Sequence, residues 1–263
     1  MTSSGRFMED LTWPEVAAAF QADLPVIVPI GAAAKEHGRH LPMKTDWLLA
    51  RALAEGIALK LPVLIAPIVP FGYYPVFRTY PGSQHLSAET FVRLLTELLE
   101  RFLDQGARRI AIVNTGVSTE GPVGLATRDI LERRSVKIGV ADIRRLGRKA
   151  DHLLQQQVGS HADERETSVL LAIAPELVRM DLARADYGKE PPLSVFATPT
   201  TMQSTDASAI DYSATGAFGD PTLASAEKGR VILDAMIADL VEGLVAQFPD
   251  LPRVQDNARA SGR

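Results

Sequence analysis

Short apolar runs alternate along the chain with longer segments in which apolar residues recur every three or four positions. The runs have the composition of strands buried on both faces, and they lie at 24–30, 63–69, 109–113 and 136–143, with a further candidate at 191–199. Helical spacing predicts helices at about 13–22, 45–59, 88–105, 164–171 and 224–248. This alternation predicts an α/β fold with a mainly parallel sheet covered by helices on both faces.

Two of the predicted helices have clear boundary signals. Thr12 is a good N-cap, and Glu15 stands three residues later, as in a capping box. Ser87 is a second N-cap, and Gly106 follows the last apolar residue of the same helix. We therefore expect these helices to begin directly after Thr12 and Ser87.

The order of elements also predicts where a ligand binds. In parallel sheets covered by helices, ligands bind beyond the carboxyl ends of the strands, so the residues after Ile30, Val69 and Val113 are the first candidates. We find no internal repeat or linker. The expected organisation is one domain over residues 1–263, with a polar tail from about residue 253.

Composition excludes several classes of function. The chain has no cysteine, which excludes disulfides, thiolate metal sites and a cysteine nucleophile. Its net charge of −4 is unfavourable for nucleic-acid binding. The apolar runs are shorter than the roughly 20 residues that span a bilayer, and the first ten residues do not have the apolar core of a secretory signal. We expect a cytoplasmic protein without nucleic-acid or membrane partners.

Two polar clusters combine histidine with carboxylates. The first has the sequence KEHGRHLP at 35–42 and closes with Asp46, soon after the run that ends at Ile30. The second has the sequence HADERETS at 161–168 and enters a predicted helix. Imidazole and carboxylate together are typical ligands of a catalytic Zn²⁺ or a similar divalent ion. Spacing alone does not join the clusters, because about 115 residues separate them.

The sequence of these clusters resembles the creatininase family of metal-dependent amidohydrolases. The segment 29–46, which contains EHGRHLP, and the segment HADERETS provide the specific matches, and YPGS at 80–83 and GDPT at 219–222 are weaker ones. The resemblance implies a three-layer α/β/α fold with the site at the carboxyl end of the sheet. It also implies hydrolysis of a cyclic or linear amide C–N bond, in a homo-oligomer.

The resemblance also implies roles for four residues of the two clusters. His37, Asp46 and Glu166 correspond to metal ligands of the family. His161 corresponds to a histidine that assists proton transfer or substrate binding. We expect His161 to pass a proton to the leaving nitrogen, while the bound ion activates water and polarises the carbonyl.

Two ligands of the dinuclear metal centre of the family are missing from this chain. Lys35 stands where the family has a glutamate, and the sequence NTG at 114–116 replaces an Asn-Gly-His motif. Both losses concern the same ion, so we expect one divalent ion per chain, with Zn²⁺ favoured and Mn²⁺ or Fe²⁺ possible. Glu36 is a further candidate ligand, and Lys35 is a candidate catalytic residue. Its ammonium either replaces the charge of the missing ion or points to solvent.

The expected activity is hydrolysis of a non-peptide amide bond in a small molecule. Glu36 or Asp163 is the candidate base, and Tyr74 is the candidate substrate-binding residue within an aromatic segment that also contains Phe77. That aromatic wall makes creatinine an unfavourable substrate. Two alternatives stay open: a metal-assisted lyase or isomerase, and a non-catalytic small-molecule-binding or scaffold protein of the same fold. The family resemblance further suggests a hexamer.

Overall fold

The computed structural model describes residues 5–188 and 213–252. The strands are β1 (Arg6–Phe7), β2 (Val26–Ile30), β3 (Leu64–Ile65), β4 (Ile110–Asn114) and β5 (Gly139–Asp142). The helices are α1 (Trp13–Gln21), α2 (Thr45–Lys60), α3 (Ala88–Asp104), α4 (Glu120–Arg134), α5 (Glu164–Ile173) and α6 (Ala226–Gln247). Helices cover both faces of one sheet, which confirms the predicted three-layer α/β/α fold. The strand expected at 191–199 and the tail from 253 lie outside the described residues.

The five strands are parallel and follow the order β1-β3-β2-β4-β5. β2 pairs with β4 along its whole length, and Ile30 lies opposite Asn114 at the end of this pairing. Asn114 in turn lies opposite Asp142 of β5. The segments that follow β2, β4 and β5 therefore leave the sheet at the same edge.

The two faces of the sheet contact separate apolar cores. Ile27 of β2 packs into the core formed with α2, α5 and α6, whereas Val26 and Val28 pack into the core formed with α1, α3 and α4. Burial on both faces explains why the strand sequences are continuously apolar. Within 5–188 and 213–252, none of the helices has the length and apolar character needed to cross a bilayer.

The predicted helix starts are confirmed. The backbone N–H of Thr12 donates to Glu15 Oε2 at 2.8 Å, which is half of a capping box at the start of α1. The side chain of Ser87 accepts from the backbone N–H of Thr90 at 3.2 Å at the start of α3.

Three elements differ from the sequence prediction, and the first is β1 (Arg6–Phe7), a two-residue strand that no apolar run predicts. β3 is only two residues long, since Pro67 has no N–H to donate within the predicted strand 63–69. Helix α4 was not predicted, because Gly121, Pro122 and Gly124 lie in its first two turns and read as a loop. Its apolar residues, such as Ile130, are buried against the sheet, so packing compensates for the weak helix propensity of its start.

Helices α5 and α6 approach each other closely at Gly229. A Cβ atom at this position would overlap the carbonyl oxygen of Ser168, which belongs to a helix backbone that cannot rotate away. We expect Gly229→Ala to lower the free energy of unfolding by about 1–3 kcal/mol, measured by urea denaturation. Gly243→Ala is the matched control on α6, where an added Cβ meets nothing within 4 Å. This control should raise the free energy of unfolding by about 0.5–1 kcal/mol. A similar loss of stability in both variants would contradict the packing explanation.

Candidate active site

Two loops meet at the carboxyl edge of the sheet and bring the two polar clusters together. One loop connects β2 to α2, and the other leads into α5. Thr115, which directly follows β4, holds the first loop in place. Its backbone N–H donates to the carbonyl of Ile30 and its hydroxyl donates to the carbonyl of Asp46, both at 3.0 Å. Asp46 is thereby fixed in the first turn of α2, directly beyond the end of β2.

Both carboxylate oxygens of Asp46 have a partner. Oδ2 accepts from Lys35 Nζ at 2.7 Å, and Oδ1 lies 3.0 Å from His37 Nε2. Burial by itself raises the pKa of Asp46, but the Lys35 ammonium and His37 outweigh it and lower this pKa well below its ordinary value. Lys35 is only 6% exposed, so its ammonium points into the site and not to solvent.

Glu36 orients the ring of His161. His161 Nε2 donates to Glu36 Oε2 at 3.0 Å, and the other Glu36 oxygen accepts from the backbone N–H of Gly38. Gly216 packs against this carboxylate, where a Cβ would overlap Glu36 Oε1, and its φ of +77° also favours glycine. The ring therefore directs Nδ1 toward Glu166, 3.9 Å from Oε2.

Glu166 lies in the first turn of α5. Asp163 caps this helix, with its Oδ1 accepting from the backbone N–H of Glu166 at 3.0 Å. Glu166 Oε2 accepts from the backbone N–H of Ala162 at 2.6 Å. Burial raises the pKa of the Glu166 carboxyl, because the buried carboxylate loses hydration, while His161 acts in the opposite direction. A cation beside Glu166 would keep this group ionised.

The donor atoms of this cluster fit a divalent ion. His37, His161 and Glu166 each offer a ligand atom, and these atoms lie within 4.8 Å of one another. His37 Nδ1 donates to the carbonyl of Lys35 at 3.0 Å, which leaves the Nε2 lone pair facing Asp46 Oδ1. Two acceptors so close need a shared cation, either a proton on Nε2 or a metal ion. In metal-bound histidines, the ring nitrogen that does not bind the metal usually donates a hydrogen bond to a group such as a backbone carbonyl, as His37 Nδ1 does here.

Two other predicted site residues, Tyr74 and Asp163, use their polar atoms in hydrogen bonds within the protein. Tyr74 is buried, and its hydroxyl donates to the carbonyls of Ala34 (3.1 Å) and Gln84. Burial also raises the pKa of the Tyr74 hydroxyl. The oxygens of Asp163 accept from the backbone of Glu166 and from Gln156 Nε2, the latter at 2.8 Å. Neither residue offers a free polar atom to a substrate in this arrangement.

The roles of two residues that shape the site were not predicted from the sequence. Thr115 acts through a hydroxyl bound to backbone, and Gly216 acts through the absence of a side chain. Neither feature has a chemical signature in the sequence, although the position of Thr115 directly after an apolar run was a possible signal.

A cavity of about 770 Å³ opens onto the cluster, and we call it the active-site cavity. Lys35, His161 and Glu166 form part of its polar wall, and Tyr73 and Phe77 form part of its apolar wall. The ring centroid of Phe77 lies 4.5 Å from that of His161 and 5.3 Å from Lys35 Nζ. The cavity is large enough for a small organic molecule, and it places a histidine and an ammonium beside the candidate metal ligands.

His40 of the first cluster has a different role. It is 2% exposed, and its Nε2 lies 2.8 Å from Thr167 Oγ1, so it links the first loop to α5. Burial, with a further contribution from the charge of His161, lowers the pKa of His40 from 6.5 to about 4.

The depressed pKa of His40 predicts a pH-dependent stability. Between pH 6.5 and about 4 the unfolded chain binds a proton that folded His40 rejects, so stability is full above this window and falls as the pH drops through it. We expect a slope of about 1 kcal/mol per pH unit from this residue, measured by urea denaturation of chelator-treated protein. His40→Gln should remove that slope between pH 6.5 and 4.5, and an unchanged slope would refute the assignment.

Comparison with known proteins gives consistent matches over most of the chain. The family model described as creatinine amidohydrolase (creatininase) matches residues 9–244. Mycofactocin precursor peptide peptidase of Mycobacterium tuberculosis is 32% identical over 252 residues, which span 89% of this chain and 92% of the relative. Creatinine amidohydrolase of Pseudomonas putida is 26% identical over 270 residues, which span 94% of this chain and 99% of the relative.

Solved structures show the same fold. A crystal structure of creatinine amidohydrolase (creatininase) matches with a TM-score of 0.78 at 22% identity, covering 94% of this chain and 99% of the other. A creatininase mutant described as a Zn-Zn type matches with a TM-score of 0.73 at 24% identity, covering 94% of this chain and all 100% of the other.

Proposed function

This chain belongs to the creatininase family of hydrolases, and from that premise we propose that it hydrolyses an amide C–N bond of a small molecule with one divalent ion per chain. His37, Asp46 and Glu166 are the proposed ligands, with Zn²⁺ favoured and Mn²⁺ or Fe²⁺ as alternatives. The observation that carries the proposal is the cluster itself: His37, His161 and Glu166 offer donor atoms within 4.8 Å of one another, and Asp46 Oδ1 lies 3.0 Å from His37 Nε2. The ion would supply Lewis-acid polarisation of the amide carbonyl and activation of water.

The relatives support the type of bond. One is named as an amidohydrolase and the other as a peptide peptidase, so both names refer to cleavage of an amide C–N bond. Their substrates differ, however, and we do not assign either substrate to this chain. The Zn-Zn description of a structural neighbour supports zinc as the first ion to test.

His161 is the proposed proton-transfer residue. Glu36 binds its Nε2–H, which leaves Nδ1 to take a proton or to give one to the leaving nitrogen. One Glu36 oxygen faces His161 Nε2 and the other accepts from the backbone N–H of Gly38, so we assign Glu36 to the orientation of His161. Phe77 covers the ring of His161 and helps to exclude water from the reacting groups.

Lys35 is the proposed substitute for a second ion. Its ammonium lies 2.7 Å from Asp46 Oδ2, where it keeps the carboxylate ionised. It also lines the active-site cavity, so it is available to stabilise the oxyanion that forms at the substrate carbonyl. A fixed side-chain cation and one exchangeable ion would then replace a pair of ions.

The family resemblance suggests a homo-oligomer, with a hexamer as the specific expectation, formed by single-domain chains in the cytoplasm. Light scattering on the purified full chain measures the subunit number directly.

The proposed function is tested by counting ions and measuring hydrolysis in parallel. The full chain is stripped with a chelator, reloaded with Zn²⁺ or Mn²⁺ and assayed on a panel of amides that includes creatinine, N-acyl amino acids and dipeptides. We expect about one ion per chain after reloading, with amine release that disappears on chelation and returns with the ion. Two tightly bound ions per chain would contradict the single-ion proposal. A loaded protein that binds amides without cleaving them would favour the non-catalytic alternative.

A further inference from the structure

A second cavity of about 400 Å³ adjoins the active-site cavity, and we call it the annex cavity. The two cavities share the lining residues Val117, Arg144, Ser160 and Glu166. Because Glu166 is a proposed ligand, a substrate whose amide lies beside this residue can extend from one cavity into the other. The combined space exceeds what a single small ring such as creatinine needs.

The annex cavity combines apolar walls with arginine side chains. Leu49 of α2, Val169 of α5 and Met236 of α6 are among its apolar lining residues. Its basic lining residues are Arg144, Arg148 and Arg165, and its acidic ones are Asp163 and Glu166. Asp163 caps α5, and Glu166 lies at the junction with the active-site cavity as a proposed metal ligand. Both carboxylates therefore have a function other than binding a ligand in the annex cavity.

Arg148 is the arginine best able to bind a ligand. It lines only the annex cavity, its side chain is 64% exposed, and its Nη2 lies 2.9 Å from Asp151 Oδ2. Asp151 also pairs with Arg165, whose side chain is 14% exposed. If Arg148 turned to another anion, Asp151 would keep its more buried partner, and an exposed ion pair contributes little stability. Arg165 additionally donates to the carbonyl of Leu146 at 2.6 Å, so it is held in place.

We infer that the annex cavity binds the part of the substrate on one side of the scissile amide, and that this part carries both an apolar side chain and a carboxylate. This inference rests on the proposed function and narrows its substrate class to N-acyl derivatives of apolar amino acids. Arg148 binds the carboxylate, the apolar residues around Met236 contact the side chain, and the amide lies near Glu166. Hydrolysis adds water across the C–N bond and yields a carboxylic acid and the free amino acid.

The inference is tested by binding, without turnover. Isothermal titration calorimetry on the chelator-treated full chain compares N-acetyl-L-leucine with N-acetyl-L-leucinamide, which differ only in the carboxylate. We expect the acid to bind at least about tenfold more tightly, and Arg148→Ala to reduce this preference to about twofold or less. Arg93→Ala, which removes a similarly exposed arginine on α3, is the matched control and should keep the preference. Removal of metal ensures that the carboxylate does not simply bind an ion.

The outcomes separate this inference from the proposed function. Equal affinity of acid and amide, or an acid preference that survives Arg148→Ala, would overturn the annex assignment. Hydrolysis of amides by the reloaded enzyme without preference for a free carboxylate would also overturn it while leaving the hydrolase assignment intact. Conversely, a carboxylate preference that depends on Arg148, in a protein that cleaves none of the amides, would contradict only the proposed reaction.

Discussion

Replacing His161 by alanine is expected to lower kcat by about 10²–10⁴-fold while the content of bound metal stays at about one ion per chain. The reason is that His161 is positioned by Glu36 through Nε2 and presents Nδ1 to the active-site cavity, which is the geometry of a proton-transfer group. The measurement combines steady-state kinetics with metal analysis of the same preparation. Loss of kcat with little change in KM would indicate that the histidine acts in the chemical step.

His37→Ala is the matched comparison for His161→Ala. Both remove a buried imidazole from the same cluster, but His37 is a proposed ligand and contacts Asp46. We expect His37→Ala to lose the ion and the activity together, and His161→Ala to lose only the activity. If His161→Ala also lost the ion, His161 would be a ligand, as its place beside His37 and Glu166 allows. If its turnover were unchanged, the proton-transfer role would be refuted.

The second large effect concerns the buried ion pair between Lys35 and Asp46. We expect Asp46→Asn to lower the free energy of unfolding of the chelator-treated protein by about 3–5 kcal/mol, because it leaves a buried ammonium without its counter-charge. The pKa of Asp46 is depressed in the folded state. The ionised carboxylate therefore contributes to the free energy of unfolding above the ordinary pKa of an aspartate, and this contribution is lost as acid protonates the carboxylate of the folded protein. Urea denaturation at pH 7 should therefore show the largest difference between wild type and variant, with a smaller difference below pH 3.

A double variant separates the charge effect from other consequences of the substitution. Lys35→Met combined with Asp46→Asn removes both charges, and we expect it to recover more than half of the lost stability. Glu97→Gln, which breaks the exposed pair with Arg93 on α3, serves as the surface control and should change stability by less than about 0.5 kcal/mol. A double variant as unstable as Asp46→Asn alone would show that the unpaired ammonium is not the cause.

The layers of the fold were largely predictable from local patterns. The strands β2 and β4 are buried on both faces, and this burial requires the continuous apolar runs that the sequence displays. Helix α3 begins where Ser87 offers a side-chain cap, which depends only on residues three positions apart. Helix α4 was missed because its Gly- and Pro-rich start is stabilised by packing on the sheet, and packing is not a local property.

The candidate site was predictable only in its chemistry. The resemblance identified His37, Asp46, His161 and Glu166, but the partners of these groups depended on the folded loops. Glu36 was a candidate ligand by position, yet the turn at Gly38 and the missing side chain at Gly216 direct its carboxylate to His161. Arg148 gave no signal in the sequence, because its relevance arises from a cavity lined by three separate helices.

The amino-acid sequence by itself determined the alternation of strands and helices, the caps that start two of the helices, and the presence of imidazole and carboxylate groups after the strands. These properties depend on residues a few positions apart, where backbone geometry alone sets which side chains meet. Only the tertiary structure decided that Glu36 contacts His161 across 125 residues of sequence and that the Lys35 ammonium is buried against Asp46. Such contacts arise when the sheet edge and the first turns of α2 and α5 pack together, and that packing sets which charges share a buried space.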